Sequence, residues 1–246
     1  MRATPDPLRA VLFDMDGLLV DTEPLWYEVE VEVMARLGAP WTPQDQAALL
    51  GGSLERSSRY LVATAGAELP WRTVATWLLD GMCQRLRDGV EPRPGALDLL
   101  AELAAAGVPR ALVSSSHRIL VDAVLASLGD HHFAFSVSAD DVVRLKPDPE
   151  PYLSAVRRLR ASPARCVVLE DSPTGVAAGE AAGCPVVAVP SLKAIPPAPG
   201  RTVTASLRDV DLARLRELVE RDRPHLAARF PHREESVRPP EQTTGT

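Results

Sequence analysis

The sequence predicts an α/β protein, with a Rossmann-like parallel sheet whose core is interrupted after its first strand by a small α-helical domain. Three observations lead to this prediction. After Gly95, short apolar runs alternate with helical patterns, which is typical of βαβ units. From Pro24 to about Arg87 the spacing is helical and no convincing strand is present. A single apolar run, Ala10–Phe13, precedes that block and ends at a group of carboxylates.

The first strand and the helical block can be justified from local patterns. Ala10–Phe13 is apolar throughout, as expected for a strand that is buried on both faces. In the block that follows, Trp26, Val29 and Val33 recur at helical spacing, and Gly38 follows as a stop signal. The Pro- and Gly-containing stretch "EPRPG" then ends the block.

The remainder of the chain alternates between the two kinds of element. A strand, a helix and a second strand in succession fold into a parallel pair, so these segments predict one parallel sheet. The predicted helices are 96–106, 119–128, 149–160, 176–182 and 212–220, and the predicted strands are 110–113, 133–138, 166–169, 185–189 and 202–205.

The position of the helical block predicts the domain organisation. Residues 1–21 and 95–222 would form the α/β core, and residues 22–94 a helical cap domain. Ligands of open α/β sheets bind at the carboxyl ends of strands, so a domain inserted there can cover the site and exclude water. Residues 223–246 are polar and Pro-rich and are expected to be disordered.

Composition argues against several classes of protein. The 246 residues carry a formal net charge of -6 and are 46% hydrophobic, which suits a packed core and disfavours a general nucleic-acid or polybasic membrane binder. Three cysteines are too few for a disulfide framework, and no signal-peptide pattern or long apolar run is present. We expect a cytoplasmic protein that binds neither nucleic acid nor membrane. A compact core with a small cap is compatible with a monomer.

Polar side chains follow three of the predicted strands. Asp14 and Asp16 follow the first, Ser114–Ser116 follow the second, and Glu170 and Asp171 end a later one. All would meet at one edge of the sheet, where two groups of carboxylates repel each other unless a cation lies between them. Hard carboxylate oxygens are the ligands that Mg²⁺ prefers. The pattern therefore predicts a magnesium site.

Lys146, in "RLKPDP", places a cation at the same edge. Only Lys146 and Lys193 are lysines in a chain whose other basic residues are arginines, so a retained lysine suggests a specific task. An ammonium and Ser hydroxyls are donors suited to an anion, most simply a phosphate. Taken singly, Asp and Ser at strand ends are also common turn and capping residues. Their joint placement is what favours a site.

Four segments carry a family resemblance. In this order, "DMDGLLVDTE", "LVSSSH", "RLKPDPEPY" and "VLEDSPTGVAAGEAAG" resemble the four motifs of the haloacid dehalogenase-like (HAD) hydrolase superfamily. The helical insertion after the first motif is similar to the C1 cap of that superfamily. The resemblance covers about residues 9–191, and the most similar subgroup is that of sugar phosphatases and β-phosphoglucomutases.

The resemblance implies roles for the residues that match the motifs. Asp14 would be the nucleophile that forms an aspartyl-phosphate, and Asp16 the general acid/base. Lys146 would bridge the nucleophile and the phosphate. Ser114 and the backbone N–H of Ser115 would hold the phosphoryl oxygens.

The resemblance also implies Mg²⁺ as the cofactor. Asp171 would ligate it together with the Asp14 carboxylate and the Asp16 backbone carbonyl. Glu170 would be an additional ligand or would lie just behind the ligands. Thr22 would lie at the hinge of the cap, next to Asp16.

The branches of the family differ at positions that can be read in this sequence. Dehalogenases lack an acid/base at the position of Asp16, so its presence favours phosphoryl transfer. Phosphonatases use a cap lysine, and residues 22–94 contain none. β-Phosphoglucomutases typically carry a cap His and Arg where this chain has Trp26 and Leu54, which favours a phosphatase. Arg56 could substitute in part and keeps the mutase open.

The sequence therefore predicts a phosphoric monoester hydrolase. It would be Mg²⁺-dependent and would act on a small phosphorylated metabolite, most simply a sugar phosphate, through an aspartyl-phosphate. A β-phosphoglucomutase-type phosphomutase is the alternative within the family. A catalytically idle HAD-like protein that binds a phosphometabolite is the alternative from a different class.

Overall fold

A six-stranded parallel sheet forms the centre of the molecule. The computed structural model describes residues 7–49 and 53–229. The sheet has the strand order β3-β2-β1-β4-β5-β6, which is that of doubly wound α/β proteins, so the predicted fold class is confirmed. The strands are β1 Ala10–Phe13, β2 Arg110–Val113, β3 Phe135–Val137, β4 Cys166–Glu170, β5 Val186–Ala188 and β6 Arg201–Val203.

Helices cover both faces of the sheet. Side chains of β1 alternate between two apolar layers, with Val11 and Phe13 on one face and Ala10 and Leu12 on the other. Burial on both faces explains why the central strands read as continuous apolar runs. The helices are α1 Glu23–Arg36, α2 Pro43–Leu49, α3 Leu54–Ala65, α4 Trp71–Asp88, α5 Ala96–Ala105, α6 Arg118–Leu128, α7 Glu150–Arg158, α8 Pro173–Ala181 and α9 Leu212–Arg229.

Two helices differ from the expected boundaries by three residues or more. Helix α8 begins at Pro173 because the Ser172 hydroxyl caps it, accepting a hydrogen bond from the Gly175 backbone N–H at 3.1 Å. Helix α9 continues to Arg229, so the disorder expected from residue 223 onward is wrong for residues 223–229. The rest of the expected tail, 230–246, lies outside the described residues.

The helical insertion consists of α1 to α4, between β1 and β2. The chain enters and leaves it side by side. Val20 forms an isolated bridge with Pro92, and the Asp21 N–H donates to the Glu91 carbonyl at 3.3 Å. The Arg93 guanidinium also pairs with the Asp21 carboxylate at 3.0 Å. Both chain crossings are therefore tied together at one hinge.

The insertion also touches the core away from this hinge. Helix α4 packs along α6, the helix that follows β2. Among the helices of the described residues, none combines the length and the apolar character needed to cross a membrane.

Candidate active site

Three adjacent strands deliver the polar residues to one edge of the sheet. The register places Phe13 of β1 beside Leu112 of β2 and beside Leu169 of β4. The residues that follow these positions therefore emerge together, and the Asp14 N–H donates to the Leu169 carbonyl at 3.0 Å. In this strand order the edge next to β1 and β4 is the topological switch point, where doubly wound proteins bind ligands.

The Lys146 ammonium lies at the centre of the site. Its Nζ donates to Asp14 Oδ1 at 2.5 Å, to Glu170 Oε1 at 2.6 Å and to the Val113 carbonyl at 2.8 Å. Burial alone would lower the pKa of Lys146, but the charges of Asp14 and Glu170 outweigh it and raise that pKa above its usual value. The lysine is therefore a permanent cation whose three N–H donors are all used by protein acceptors.

Hydroxyl groups hold the Asp16 carboxylate. Thr22 donates to Oδ1 at 2.7 Å, while Ser116 and Ser114 donate to Oδ2 at 2.7 Å and 3.3 Å. Thr22 thus lies beside Asp16 at the start of the insertion, where the hinge was expected. Ser114 also accepts a hydrogen bond from the Ser116 backbone N–H at 2.9 Å, which fixes the turn after β2.

The Asp171 carboxylate is held by a residue from another loop. The hydroxyl of Ser191, in the segment after β5, donates to Asp171 Oδ2. Gly17 lies against the same oxygen: a Cβ at this position would be 2.1 Å from it, and the backbone φ of +82° favours glycine. The glycine of the first motif is therefore required by close approach as well as by conformation.

The acidic residues outweigh the single lysine. Burial, followed by the charge of Glu170, raises the pKa of Asp14 well above its usual value, although Lys146 opposes the shift. The same two causes raise the pKa of Asp171 to about 7, with partial relief from the Ser191 hydrogen bond. When ionised, these carboxylates carry more negative charge than Lys146 can compensate.

This excess of negative charge fits a divalent cation. Ligand oxygens of Asp14, Glu170 and Asp171 lie within 4.8 Å of one another, and all three residues are buried. Such a set of hard oxygens suits Mg²⁺. The Asp16 side chain is not part of this group, and ligation by its backbone carbonyl stays a prediction.

Ser115 differs from its neighbours. Its side chain is exposed, and within the described residues its backbone N–H has no protein acceptor. This N–H is therefore available to an anion in the turn that precedes α6, as the role predicted for it requires.

The structure adds residues that the sequence analysis did not single out. The Tyr152 hydroxyl donates to Glu170 Oε1 at 2.6 Å, and the Ser172 hydroxyl donates to Glu170 Oε2 at 3.1 Å. Tyr152 and Ser172 stand inside the quoted motifs "RLKPDPEPY" and "VLEDSPTG", so the motifs themselves pointed to them. Ser191 had no such signal, because only the fold brings the end of β5 next to Asp171.

A family model for haloacid dehalogenase-like hydrolases matches residues 8–183. The chain belongs to the haloacid dehalogenase-like hydrolase family. The predicted family and the predicted hydrolase class are thereby confirmed. All four quoted motifs fall within the matched range, and each contributes to the edge of the sheet: the first supplies Asp14 and Asp16, and the others supply Ser114, Lys146 and Asp171.

Relatives of nearly full length are named as phosphatases. Hexitol phosphatase B of Escherichia coli (strain K12) is 32% identical over 227 residues, which cover 89% of this chain and 98% of that protein. Fructose-1-phosphate phosphatase YqaB of the same organism is 33% identical over 180 residues, covering 73% of this chain and 95% of that one. The chain spans only 48% of a bifunctional riboflavin kinase/FMN phosphatase of Arabidopsis thaliana, with 32% identity over 185 residues.

A solved structure shares the fold. CbbY from Rhodobacter sphaeroides in complex with phosphate has a TM-score of 0.76 and 28% sequence identity to this chain. The match covers 85% of this chain and 99% of that one, so it includes the helical insertion as well as the sheet.

Proposed function

We propose that the protein is a Mg²⁺-dependent phosphatase that releases phosphate from a small phosphorylated sugar or sugar alcohol through an aspartyl-phosphate. The observation that carries the proposal is the pairing of a buried Asp14 with the Lys146 ammonium, next to Asp16 and a second acidic pair. The relatives of nearly full length, a hexitol phosphatase and a fructose-1-phosphate phosphatase, support the substrate class.

Asp14 has one oxygen held and one available. Lys146 binds Oδ1, while no hydrogen-bond donor among the described residues contacts Oδ2. Attack by this carboxylate on phosphorus would form the aspartyl-phosphate as the bond to the leaving oxygen breaks. The charge of Lys146 opposes the rise in the pKa of Asp14 that burial and the charge of Glu170 cause, and so acts in favour of the ionised, nucleophilic form.

Asp16 would move the protons. It would protonate the leaving oxygen, then take a proton from the water that attacks phosphorus, releasing phosphate and regenerating Asp14. A hydroxyl can both donate and accept a hydrogen bond. Thr22, Ser114 and Ser116 can therefore hold Asp16 in either of its protonation states, as an alternating acid and base requires.

The remaining groups would bind the phosphoryl oxygens and the cation. The free N–H of Ser115, two residues before the N-cap of α6, would receive one phosphoryl oxygen. Asp14 and Asp171 would hold the metal. When bound, Mg²⁺ would offset the charge of the transferring phosphoryl group and orient it.

Arginines of the insertion do not favour the mutase alternative. A mutase must hold a second phosphate, which requires available cations in the cap. The Arg56 guanidinium instead donates to the Ala48 carbonyl at 3.0 Å, and Arg59 pairs with Glu55 at 2.8 Å. Arg85 pairs with acidic side chains of α1. Arg59 and Arg85 therefore have their charges paired within the insertion, and Arg56 has a backbone partner there.

A phosphate-release assay tests the proposal. The purified protein is given p-nitrophenyl phosphate and a panel of sugar and polyol phosphates, with Mg²⁺ or with a chelator, and free phosphate is measured. We expect release that requires Mg²⁺. An Asp14→Asn preparation purified in parallel controls for contaminating phosphatases.

Two other outcomes identify the alternatives. Conversion of β-glucose 1-phosphate to glucose 6-phosphate in the presence of a bisphosphate primer, without free phosphate, would show a mutase. Binding of a sugar phosphate by calorimetry with no turnover of any phosphate ester would show an idle binding protein.

A further inference from the structure

One buried group at the site has no task in the proposed chemistry. Tyr152, near the start of α7, is fully buried. Its hydroxyl donates to Glu170 Oε1 at 2.6 Å, and its ring centroid lies 4.8 Å from the Lys146 ammonium. Tyr152 therefore touches both the lysine and the carboxylate that holds the lysine.

The position of Lys146 is a balance between two carboxylates. Asp14 and Glu170 lie 2.5 Å and 2.6 Å from the ammonium, so the pull of each is nearly equal. A donor that satisfies Glu170 weakens its hold on the ammonium, because the same oxygen then shares its charge between two partners. The Tyr152 hydroxyl is such a donor, and it binds the same Oε1 atom.

The oxygens of Glu170 are fully occupied by protein groups. Oε1 accepts from Lys146 and Tyr152, and Oε2 accepts from the backbone N–H and hydroxyl of Ser172. A carboxylate has about four acceptor positions, so none is left over. Gly175 shows how closely the group is enclosed, since a Cβ there would lie 1.8 Å from Oε1.

We propose that Tyr152 is a positioning residue for Lys146 that acts through Glu170, and that Glu170 holds the lysine and is not needed as a metal ligand. The Tyr152 hydroxyl keeps Glu170 from drawing the ammonium away from Asp14. This inference rests on the proposed function, in which the partner of the lysine is the nucleophile.

The first test removes only the hydroxyl. In Tyr152→Phe we expect kcat for p-nitrophenyl phosphate to fall roughly 10- to 100-fold, the size of one hydrogen bond to a charged group. We expect KM to change less than about two-fold, because the substrate does not contact Tyr152. Tyr60→Phe is the matched control: its hydroxyl also donates to a carboxylate, that of Asp45 at 3.3 Å, but in the insertion. Loss of activity in the control equal to that in Tyr152→Phe would overturn the inference.

A double-mutant cycle tests whether Tyr152 acts through Glu170. If it does, Tyr152→Phe combined with Glu170→Gln should lower kcat no further than Glu170→Gln alone. A purely structural tyrosine would give losses that multiply, and that result would overturn the inference. Thermal unfolding of each variant shows whether it is folded.

Calorimetric titration of Mg²⁺ tests whether Glu170 is a metal ligand, and this measurement does not depend on turnover. We expect Glu170→Gln to bind Mg²⁺ within about three-fold of the wild type, whereas Asp171→Asn should bind it at least ~10-fold more weakly. An equal loss of Mg²⁺ affinity in both variants would show that Glu170 is a ligand and would overturn this part of the proposal. Absence of phosphate release by the wild type would count against the proposed function instead, and the calorimetric comparison would still decide the role of Glu170.

Discussion

The carboxylates at the edge of the sheet differ in their hydrogen bonding from the carboxylate that the insertion brings beside them. Asp14, Asp16, Glu170 and Asp171 each receive at least one hydrogen bond. Glu23, the first residue of α1, is partly buried, yet its carboxylate has no partner among the described residues. Burial, followed by the charge of Asp16, raises its pKa to about 7. The sheet edge is thus organised before a ligand arrives, whereas the insertion keeps a polar group available to one.

The largest effect should come from the sheet edge. Asp14→Asn removes the nucleophile while keeping an oxygen that can accept from Lys146. We expect kcat to fall by at least ~10³-fold, as for the loss of other covalent nucleophiles, with the thermal midpoint unchanged or raised because a crowded negative charge is lost. Phosphate release and thermal unfolding measure the two effects. Residual turnover within ten-fold of the wild type would remove Asp14 from its role.

A smaller effect should follow from the Ser191 contact to Asp171. In Ser191→Ala the carboxylate loses the group that orients it, and outer contacts of metal ligands are typically worth ~10- to 100-fold in metal affinity. We expect Mg²⁺ to bind at least ~10-fold more weakly, as measured by calorimetry. Ser206→Ala is the control, since its hydroxyl contacts the Pro94 carbonyl and the Arg208 backbone N–H, neither of which belongs to the acidic group. Unchanged Mg²⁺ affinity in Ser191→Ala would show that Asp171 holds its position unaided.

A substitution at Glu23 tests whether the insertion offers a hydrogen-bonding group to the substrate. If its unpartnered carboxylate accepts hydrogen bonds from substrate hydroxyls, Glu23→Gln should raise KM for a sugar phosphate several-fold, about the worth of one hydrogen bond, and leave kcat nearly unchanged. Hydrolysis of p-nitrophenyl phosphate, which has no such hydroxyls, should be unaffected. Glu28→Gln, on the same helix but paired with Arg85, controls for charge. An equal KM change for both substrates would contradict this role.

The smallest effect concerns the stability of the insertion. Glu30 is buried in α1 and accepts from the Trp41 indole N–H at 3.1 Å. Burial raises its pKa from 4.5 to about 7. The folded state therefore holds this proton more tightly than the unfolded state does. The contribution of Glu30 to the free energy of unfolding is thus greatest below about pH 4.5 and declines until about pH 7.

Glu30→Gln removes this ionisation and keeps an acceptor for Trp41. We expect the variant to unfold at a temperature about 2–4 °C higher than the wild type at pH 8, and the difference to vanish near pH 4. Thermal unfolding across this pH range measures it. A constant difference at all pH values would show that the carboxylate is not the titrating group.

Much of the fold could be predicted because its signals are local. The run Ala10–Phe13 and the later strand–helix alternation depend on apolar periodicity, which the sequence shows directly. The start of α8 was predicted three residues too late, because it is decided by the Ser172 side chain that caps the helix. The end of α9 could not be inferred from composition, because a polar helix and a polar tail look alike.

The acidic edge could be predicted to a similar extent, and for a similar reason. Asp14, Asp16 and Asp171 each follow an apolar strand, so parallel pairing alone brings them together. The partners of these acids could not be assigned in the same way. Lys146 was expected to bridge the nucleophile and the phosphate. It contacts Asp14, and its other donors are used by Glu170 and a backbone carbonyl, a fact that depends on three-dimensional distances. Its contact with a phosphate stays a prediction.

The paired hinge has a consequence for how such enzymes diversify. Asp21 and Glu91 are joined by a backbone hydrogen bond, so the two ends of the insertion meet at one point on the core. A whole insertion could be exchanged for another through this junction without moving β1 or β2. An exchanged insertion would also have to supply a hydroxyl in the place of Thr22, which holds Asp16, and a helix that packs along α6.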